Sequence, residues 1–268
     1  MPASVPRLQL SHVSQHLPQA AGKPGQGVAV LQDISLRVEP GEFVAILGPS
    51  GAGKTSLLRL LNRLSDPTAG QILLDGSDIR QIPVLHLRRQ VNLVLQESKL
   101  LGMTVAEALA YPLQLRGYSR TTIQHQVKVW QERLHLPADW LDRTELNLSV
   151  GQRQQVAIAR ALIALPLEPH PLKMVLLLDE PTAALDAGRA DFILSLLRDL
   201  ATAQQLTLLM VNHQLELVER FCTRVLYLQS GQLQQDSPVS ATDWAALRDR
   251  LILAERQQAE AWGDPLPD

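Results

Sequence analysis

The chain has 268 residues, of which 46% are hydrophobic and 19% charged, and it carries a formal net charge of −2. That balance belongs to an ordinary globular protein with room for a sizeable core, in one large domain or two, and excludes disorder throughout. It also lacks the basic excess of a nucleic-acid surface, so no nucleic-acid partner is expected. Taken in order, Leu8, Leu10 and Val13 alternate with polar residues and predict a half-exposed strand. Gln19 to Gly27 collects glycine, proline and polar residues, a hairpin loop. From Val28 to Val38 strand character resumes, with Ile34, Leu36 and Val38 in alternation, and Glu39-Pro40-Gly41-Glu42 turns the chain into the apolar run Phe43–Leu47.

Next come Gly48-Pro49-Ser50-Gly51-Ala52-Gly53-Lys54-Thr55, and then Ser56 to Leu64 with leucines at helical spacing. Asp66-Pro67-Thr68-Ala69-Gly70 ends that helix, and Ile72-Leu73-Leu74-Asp75-Gly76 reads as a strand closing on a tight turn. Val91–Leu95 is another apolar strand, ended by Gln96. Between residues 97 and 148 the pattern turns helical. Thr104 and Glu107 form a capping box, and a helix from Thr121 to Leu134 carries Ile123, Val127 and Trp130 on one face. Ser149-Val150-Gly151-Gln152 opens a helix through Ala164, followed by a loop with Pro166, Pro169 and Pro171. Val175–Leu178 is a strand buried on both faces, ending in Asp179 and Glu180.

A helix spans roughly Gly188 to Ala203, a strand runs from Leu206 to Val211, and His213 stands just past its end. Residues 240–262 form a terminal helix with Trp244, Leu247, Leu251 and Ala254 on one stripe. Strands alternating with helices predict an α/β fold with a largely parallel sheet, into which 97–148 is inserted as a helical segment.

The run from Gly48 to Thr55 fits G-x-x-x-x-G-K-[ST], and both flanks fit the strand–turn–helix context the motif requires. A strand turning through glycines into a helix presents backbone N–H groups at a positive helix end, which holds phosphate. Gly51 and Gly53 let the backbone wrap an anion, Lys54 places its ammonium on the outer phosphates, and the Thr55 hydroxyl binds Mg²⁺. Asp179, at the carboxyl end of a buried strand, sits where open α/β sheets bind ligands and would hold the same metal. Glu180 is a second carboxylate not spent on the metal, suited to polarising an attacking water. One phosphate loop means one nucleotide-binding core.

These residues resemble the ATP-binding cassette (ABC) ATPases. Gly48–Thr55 looks like Walker A, Val175–Asp179 like Walker B, and Leu148–Gln152 like the LSGGQ signature. Gln96 matches the Q-loop, Ala184-Leu185-Asp186 the D-loop and His213 the switch histidine, all in the family's order. The resemblance covers about residues 8–238 as one ATPase domain and leaves 239–268 as a helical extension and tail. It implies a P-loop NTPase (RecA-like) core, an N-terminal antiparallel β subdomain and the helical insertion at about 97–148. It further implies ATP and Mg²⁺ as cofactors, with Gly48, Pro49, Ser50, Gly51, Ala52, Gly53, Lys54, Thr55 and Ser56 around the nucleotide. Thr55, Gln96 and Asp179 would serve the metal, and Glu180, His213 and Gln96 the hydrolysis. Two copies would form a head-to-tail homodimer, in which Ser149, Gly151 and Gln152 of one copy cap the γ-phosphate held by the other.

The function so implied is the ATPase subunit of a transporter, working through a separate transmembrane permease subunit. The alternative is a soluble ABC ATPase of DNA repair or the ribosome, but such chains usually carry two cassettes or a long coiled coil, and a basic surface. Met1 to Pro6 lacks the marks of a signal peptide, and no stretch approaches the roughly 20 apolar residues of a membrane span. The expected location is therefore cytoplasmic, on the inner face of the cell membrane through the partner. Leu100, Leu101 and Met103 follow Gln96 directly, where the family docks a coupling helix, and are expected to be partly exposed. The lone Cys222 permits no intrachain disulfide and reads as a small buried hydrophobe.

Two departures from the family pattern stand out. Val150 replaces the usual glycine of the signature, and a positive φ there would strain it. The aromatic residue that stacks on adenine has no counterpart, since no Tyr, Phe or Trp occurs from Ser11 to Gln32. Adenine packing is then weaker, or supplied by His16 beside Leu17.

Overall fold

The computed structural model describes residues 5–18, 27–165 and 173–262. In chain order the elements are β1 (Leu8–Pro18), β2 (Gly27–Val38), β3 (Phe43–Leu47), α1 (Lys54–Leu61), β4 (Ala69–Leu74) and β5 (Ser77–Asp78). Then follow α2 (Val84–Gln90), β6 (Val91–Val94), α3 (Val105–Gln114), α4 (Arg120–Arg133), α5 (Val150–Ile163) and β7 (Val175–Asp179). The chain continues through α6 (Ala187–Gln204), β8 (Thr207–Val211), α7 (Leu215–Phe221), β9 (Arg224–Gln229), β10 (Gln232–Pro238) and α8 (Trp244–Trp262). The expected loop at residues 19–26 and the loop prolines 166, 169 and 171 lie outside the described residues.

The central sheet has the strand order β10-β9-β3-β8-β7-β6. Every neighbouring pair from β9 to β6 is parallel, and β10 returns antiparallel on β9. Parallel strands need both faces covered, and the side-chain period of two decides which residue serves which face. Along β3, Phe43, Ala45 and Leu47 join the core under the helices, while Val44 and Ile46 join the core under α1 and the second sheet. The strands β7, β8 and β9 alternate in the same way, so all of them read as continuous apolar runs.

The second sheet is antiparallel, with the order β2-β1-β4-β5. Its inward residues Leu8, Leu10, Ile34, Leu36 and Ile72 pack with Leu57 and Leu60 of α1. This is the half-exposed pattern the first segments predict. On the other face, α3 and α4 pack on α5 to form a helical layer. Ile123 and Trp130 of α4 are buried there, with Val127 packed against the same core. Leu247 and Ala254 of α8 are buried too, and Trp244 and Leu251 pack on the core beside them.

Several elements have no counterpart in the sequence reading: the short β5, the helices α2 and α7, and the hairpin β9–β10. The helix α2 buries only Leu87. In β10 exposed and half-buried residues alternate with no fully buried position. Neither leaves a strong periodic signal.

Candidate functional site

Parallel order puts the carboxyl ends of β3, β8, β7 and β6 on one edge of the sheet. The residues at or just past these ends are Gly48, Asn212–His213, Asp179–Glu180 and Gln96, so four distant stretches of sequence meet in one crevice. Each is then held by local chemistry.

The loop after β3 depends on its glycines. Gly48, Gly51 and Gly53 have φ of 150°, 69° and 97°. A Cβ on Gly48 would come within 2.1 Å of the Leu228 carbonyl oxygen, and one on Gly53 within 2.7 Å of Leu31 Cδ2. Both are therefore fixed by packing as well as by φ. Lys54 is 7% exposed, and its ammonium donates to the carbonyl oxygens of Gly48 and Pro49 at 2.7 and 2.8 Å. Burial lowers its pKa, and the charges of Glu180 and Asp179 oppose that shift. The next residue, Thr55, donates its hydroxyl to Asp179 Oδ1 at 3.2 Å. Burial also raises the Asp179 pKa, against the Thr55 hydrogen bond and with help from the neighbouring charge of Glu180.

Glu180 gathers the remaining candidates. Gln96 Nε2 donates to Glu180 Oε2 at 2.8 Å, and His213 Nε2 lies 3.0 Å from Glu180 Oε1. The Glu180 backbone has φ 49°, a left-handed conformation that costs a non-glycine residue about 1–3 kcal/mol. Its N–H donates to the Val211 carbonyl at the end of β8, which helps to hold it there. The segment bearing His213 is fixed by a network the sequence reading missed. Buried Asn212 donates to Thr182 Oγ1 at 3.1 Å and accepts from the Gln214 N–H at 2.9 Å. Thr182 in turn donates to Gln214 Oε1 at 3.3 Å. The available signal was a polar residue between an apolar strand and the histidine, and a threonine directly after Glu180-Pro181.

Ser149, Gly151 and Gln152 lie apart from this cluster, at the start of α5. Ser149 is the N-cap: its Oγ accepts from the Gln152 N–H at 3.2 Å, and Gln152 Oε1 accepts from the Ser149 N–H at 2.8 Å. The Gln152 N–H is thus engaged within the helix start, while Gly151, in the first turn of α5, has an N–H that its own helix leaves without an i−4 carbonyl. Gly151 is required by packing, because a Cβ there would sit 2.4 Å from the Ala184 carbonyl oxygen. That contact seats Ala184-Leu185-Asp186 against α5, and Asp186 caps α6 by accepting from the Arg189 N–H at 2.9 Å. Val150 is the first residue of α5 and is not among the positive-φ residues, so the possible strain does not arise. At 60% exposure its side chain points away from the core.

One expectation is overturned. Leu100 is 1% exposed and belongs to the helical-layer core, and its N–H donates to Glu145 Oε2 at 2.8 Å. Met103 is packed against the same core, whereas Leu101 is 72% exposed. His16, named as a stand-in for the missing aromatic, has its Nδ1 3.1 Å from Thr68 Oγ1. Cys222 is buried as expected, and burial raises its thiol pKa well above the ordinary range.

A phosphate loop between a buried strand and a helix, with strand-end carboxylates beside it, defines a P-loop nucleotide-binding fold of the α/β class. Within that class the chain belongs to the ABC transporter family, whose model matches residues 31–183. It is 36% identical over 237 residues to the methionine import ATP-binding protein MetN 1 of Yersinia pestis bv. Antiqua, covering 87% of this chain and 66% of that protein. It is 37% identical over 242 residues to MetN of Caulobacter vibrioides, covering 89% of this chain and 70% of the relative. Against the Yersinia relative the match thus spans just under two thirds of its length. Among solved structures, the dimeric ATP-binding cassette MJ0796 bound to ADP and Pi superposes with a TM-score of 0.75 at 26% identity, covering 87% of this chain and 98% of that one. Among the described residues, no helix is long and apolar enough to cross a membrane.

Proposed function

We propose that this chain is the ATP-hydrolysing subunit of an ABC transporter, with the cassette at about residues 8–238 and an extension from 239. The observation that carries this reading is the meeting of Gln96 and His213 on the two oxygens of Glu180, beside Lys54, Thr55 and Asp179. Residues Gly48 to Ser56 bind the phosphates of ATP through backbone N–H groups, and Lys54 exchanges its bonds to two neutral carbonyls for stronger ones to charged phosphate oxygens. A hydroxyl and a carboxylate within 3.2 Å of each other suit Mg²⁺, a hard cation that takes few protein oxygens and fills its shell from phosphate and water. Thr55 and Asp179 would hold it, with Gln96 in reach, and when bound it supplies neutralisation of the phosphate charge. Glu180 acts as general base toward the attacking water, while Gln96 and His213 hold its carboxylate in place and then contact the nucleotide.

Ser149 and Gly151 at the positive end of α5 face a γ-phosphate held by a second copy, so the working form is a head-to-tail dimer. The partner is a membrane subunit, which puts the chain at the inner face of the cell membrane. The relatives named for methionine import support import as the direction. A groove of about 1020 Å³ between α2, α3 and α5 suits a helix of that subunit.

Replacing Glu180 with Gln tests the hydrolytic reading. The amide keeps the shape and leaves Lys54, Thr55 and Asp179 untouched, so ATP binding is expected to persist. Hydrolysis is expected to fall about 10²–10⁴-fold, or about 3–5 kcal/mol of barrier, and the variant is expected to run as an ATP-dependent dimer in gel filtration. Wild-type turnover in this variant would remove Glu180 from the role of base.

A further inference from the structure

Helix α8 follows the last strand, and packing fixes where it lies. Leu247 and Ala254 are buried, and Trp244 and Leu251 pack against the core beside them. Arg248 Nη2 donates to Glu216 Oε1 at 2.8 Å, which ties α8 to α7, the helix that follows His213. Arg248, Ile252 and Glu255 recur at helical spacing and so share one side of α8. Together with Leu251, that side walls a cavity of about 210 Å³ whose other lining residues include Gly48, Asn212 and His213. The helix therefore closes one flank of the crevice where the first glycine of the phosphate loop meets the histidine. Two carboxylates stand on that flank. Glu216 is matched by Arg248, whereas Glu255 is exposed and takes part in no ion pair among the described residues. Its charge still reaches the loop. Burial lowers the Lys54 pKa, and Glu255 follows Glu180 and Asp179 among the carboxylates that oppose the shift.

We infer that Glu255 is a specificity-determining residue, which disfavours free ATP at the phosphate loop and so selects its magnesium complex. This rests on the proposed binding of the phosphates by residues Gly48 to Ser56. Repulsion from one fixed charge scales with the charge it meets. Near neutral pH free ATP carries about four negative charges and the magnesium complex about two, because the bound cation cancels the rest. A carboxylate beside the phosphates therefore costs the free nucleotide roughly twice as much. Thr55 and Asp179 favour the complex by holding the metal, and Glu255 disfavours the nucleotide that lacks it. The role falls to Glu255 and not to Glu216 because Arg248 already offsets the latter. Ala254, buried immediately before it, keeps the carboxylate at the crevice.

The experiment titrates the full chain calorimetrically with ATP in excess Mg²⁺ and with ATP in EDTA, at low and at high salt. Wild type is compared with Glu255→Gln, Glu255→Lys and Asp249→Asn. Asp249 lies on the same helix but does not line the cavity, so its variant makes the same change of net charge away from the crevice. At low salt Glu255→Gln should tighten free ATP about fivefold and Mg-ATP about twofold, so that the preference for the complex falls at least twofold. Glu255→Lys should go further in the same order. At about 0.5 M salt, where screening acts within about 4 Å, the preference should return to the wild-type value. Asp249→Asn should leave it unchanged, and all three variants should melt with the wild type. An unchanged preference in both Glu255 variants at low salt overturns the inference. So does an equal shift in Asp249→Asn, which makes the effect one of net charge, or a salt-insensitive gain alike for both forms, which makes it one of shape. A wild type that binds neither form overturns the phosphate-loop reading itself, and the inference with it.

Discussion

Gly151 and Val150 stand side by side at the start of α5, yet the structure asks opposite things of them. The position that departs from the family pattern, Val150, is a solvent-facing helical residue that tolerates any side chain of helical φ. The one that cannot change is Gly151, whose Cα faces the Ala184 carbonyl so closely that a methyl group would sit 2.4 Å from it. Gly151→Ala is therefore expected to cost about 1–3 kcal/mol as Ala184 and α5 are forced apart, despite alanine's better helix propensity. Val150→Ala is expected to stay within about 0.5 kcal/mol of the wild type. Urea unfolding of the two variants checks this, and equal midpoints would mean that the Gly151–Ala184 approach relaxes at no cost. The sequence marks both residues as part of one motif. It does not say which of them touches backbone, because that neighbour comes from more than thirty residues away.

At the scale of elements, the motifs were legible wherever they sit on strongly patterned structure. The strands β3, β7 and β8 are buried throughout and almost wholly apolar because both faces are covered, and their ends lead to Gly48, Asp179 and His213. Less legible were features set by packing between elements: the Asn212–Thr182–Gln214 network, the short α2 and α7, and the side from which residues 97–103 meet the helices. Leu100, Leu101 and Met103 read alike as apolar residues after Gln96, but Leu100 is buried in the helical-layer core and Leu101 is exposed. Losing that leucine should cost about 2–5 kcal/mol before the burial of a charge is counted. Leu100→Glu is thus expected to lower the melting temperature severely, whereas Leu101→Glu should melt like the wild type. Equal melting behaviour would contradict the burial of Leu100.

For the molecule as a whole, the groove between sheet and helical layer combines two properties that together specify what fills it. Leu85, Leu101, Tyr111 and Leu115 are exposed along it. Arg59, Arg88, Arg89, Arg116 and Arg160 also line it, and none of these takes part in an ion pair among the described residues. Their bonds go instead to backbone carbonyls: Arg88 to Asn62 and Arg63, Arg89 to Leu115, Arg116 to Ala164 and Arg160 to Lys99. Burial lowers the pKa of both Arg116 and Arg160, and no carboxylate charge offsets that shift in either. Of the lining carboxylates, Asp179 lies 3.2 Å from the Thr55 hydroxyl in the proposed nucleotide site and Glu97 lies 4.0 Å from Lys99. A whole-molecule charge of −2 hides this local excess. Under the proposed function, the occupant that would answer both properties is an amphipathic helix of the proposed membrane subunit, with carboxylates along the side that meets the arginines. Arg89→Glu reverses one exposed charge away from the nucleotide site, so basal ATP hydrolysis should stay within about twofold of the wild type. Association with the membrane subunit should fall at least tenfold, because a like charge now faces the partner's carboxylates. The check is co-purification from detergent-solubilised membranes at low and high salt. Binding by the wild type should weaken as salt rises, since exposed charge pairs are screened over about 10 Å at 0.1 M salt, and the variant should respond less steeply. If Arg89→Glu binds as the wild type does and neither responds to salt, the helix is held by Leu85, Leu101, Tyr111 and Leu115 alone and its carboxylates are dispensable.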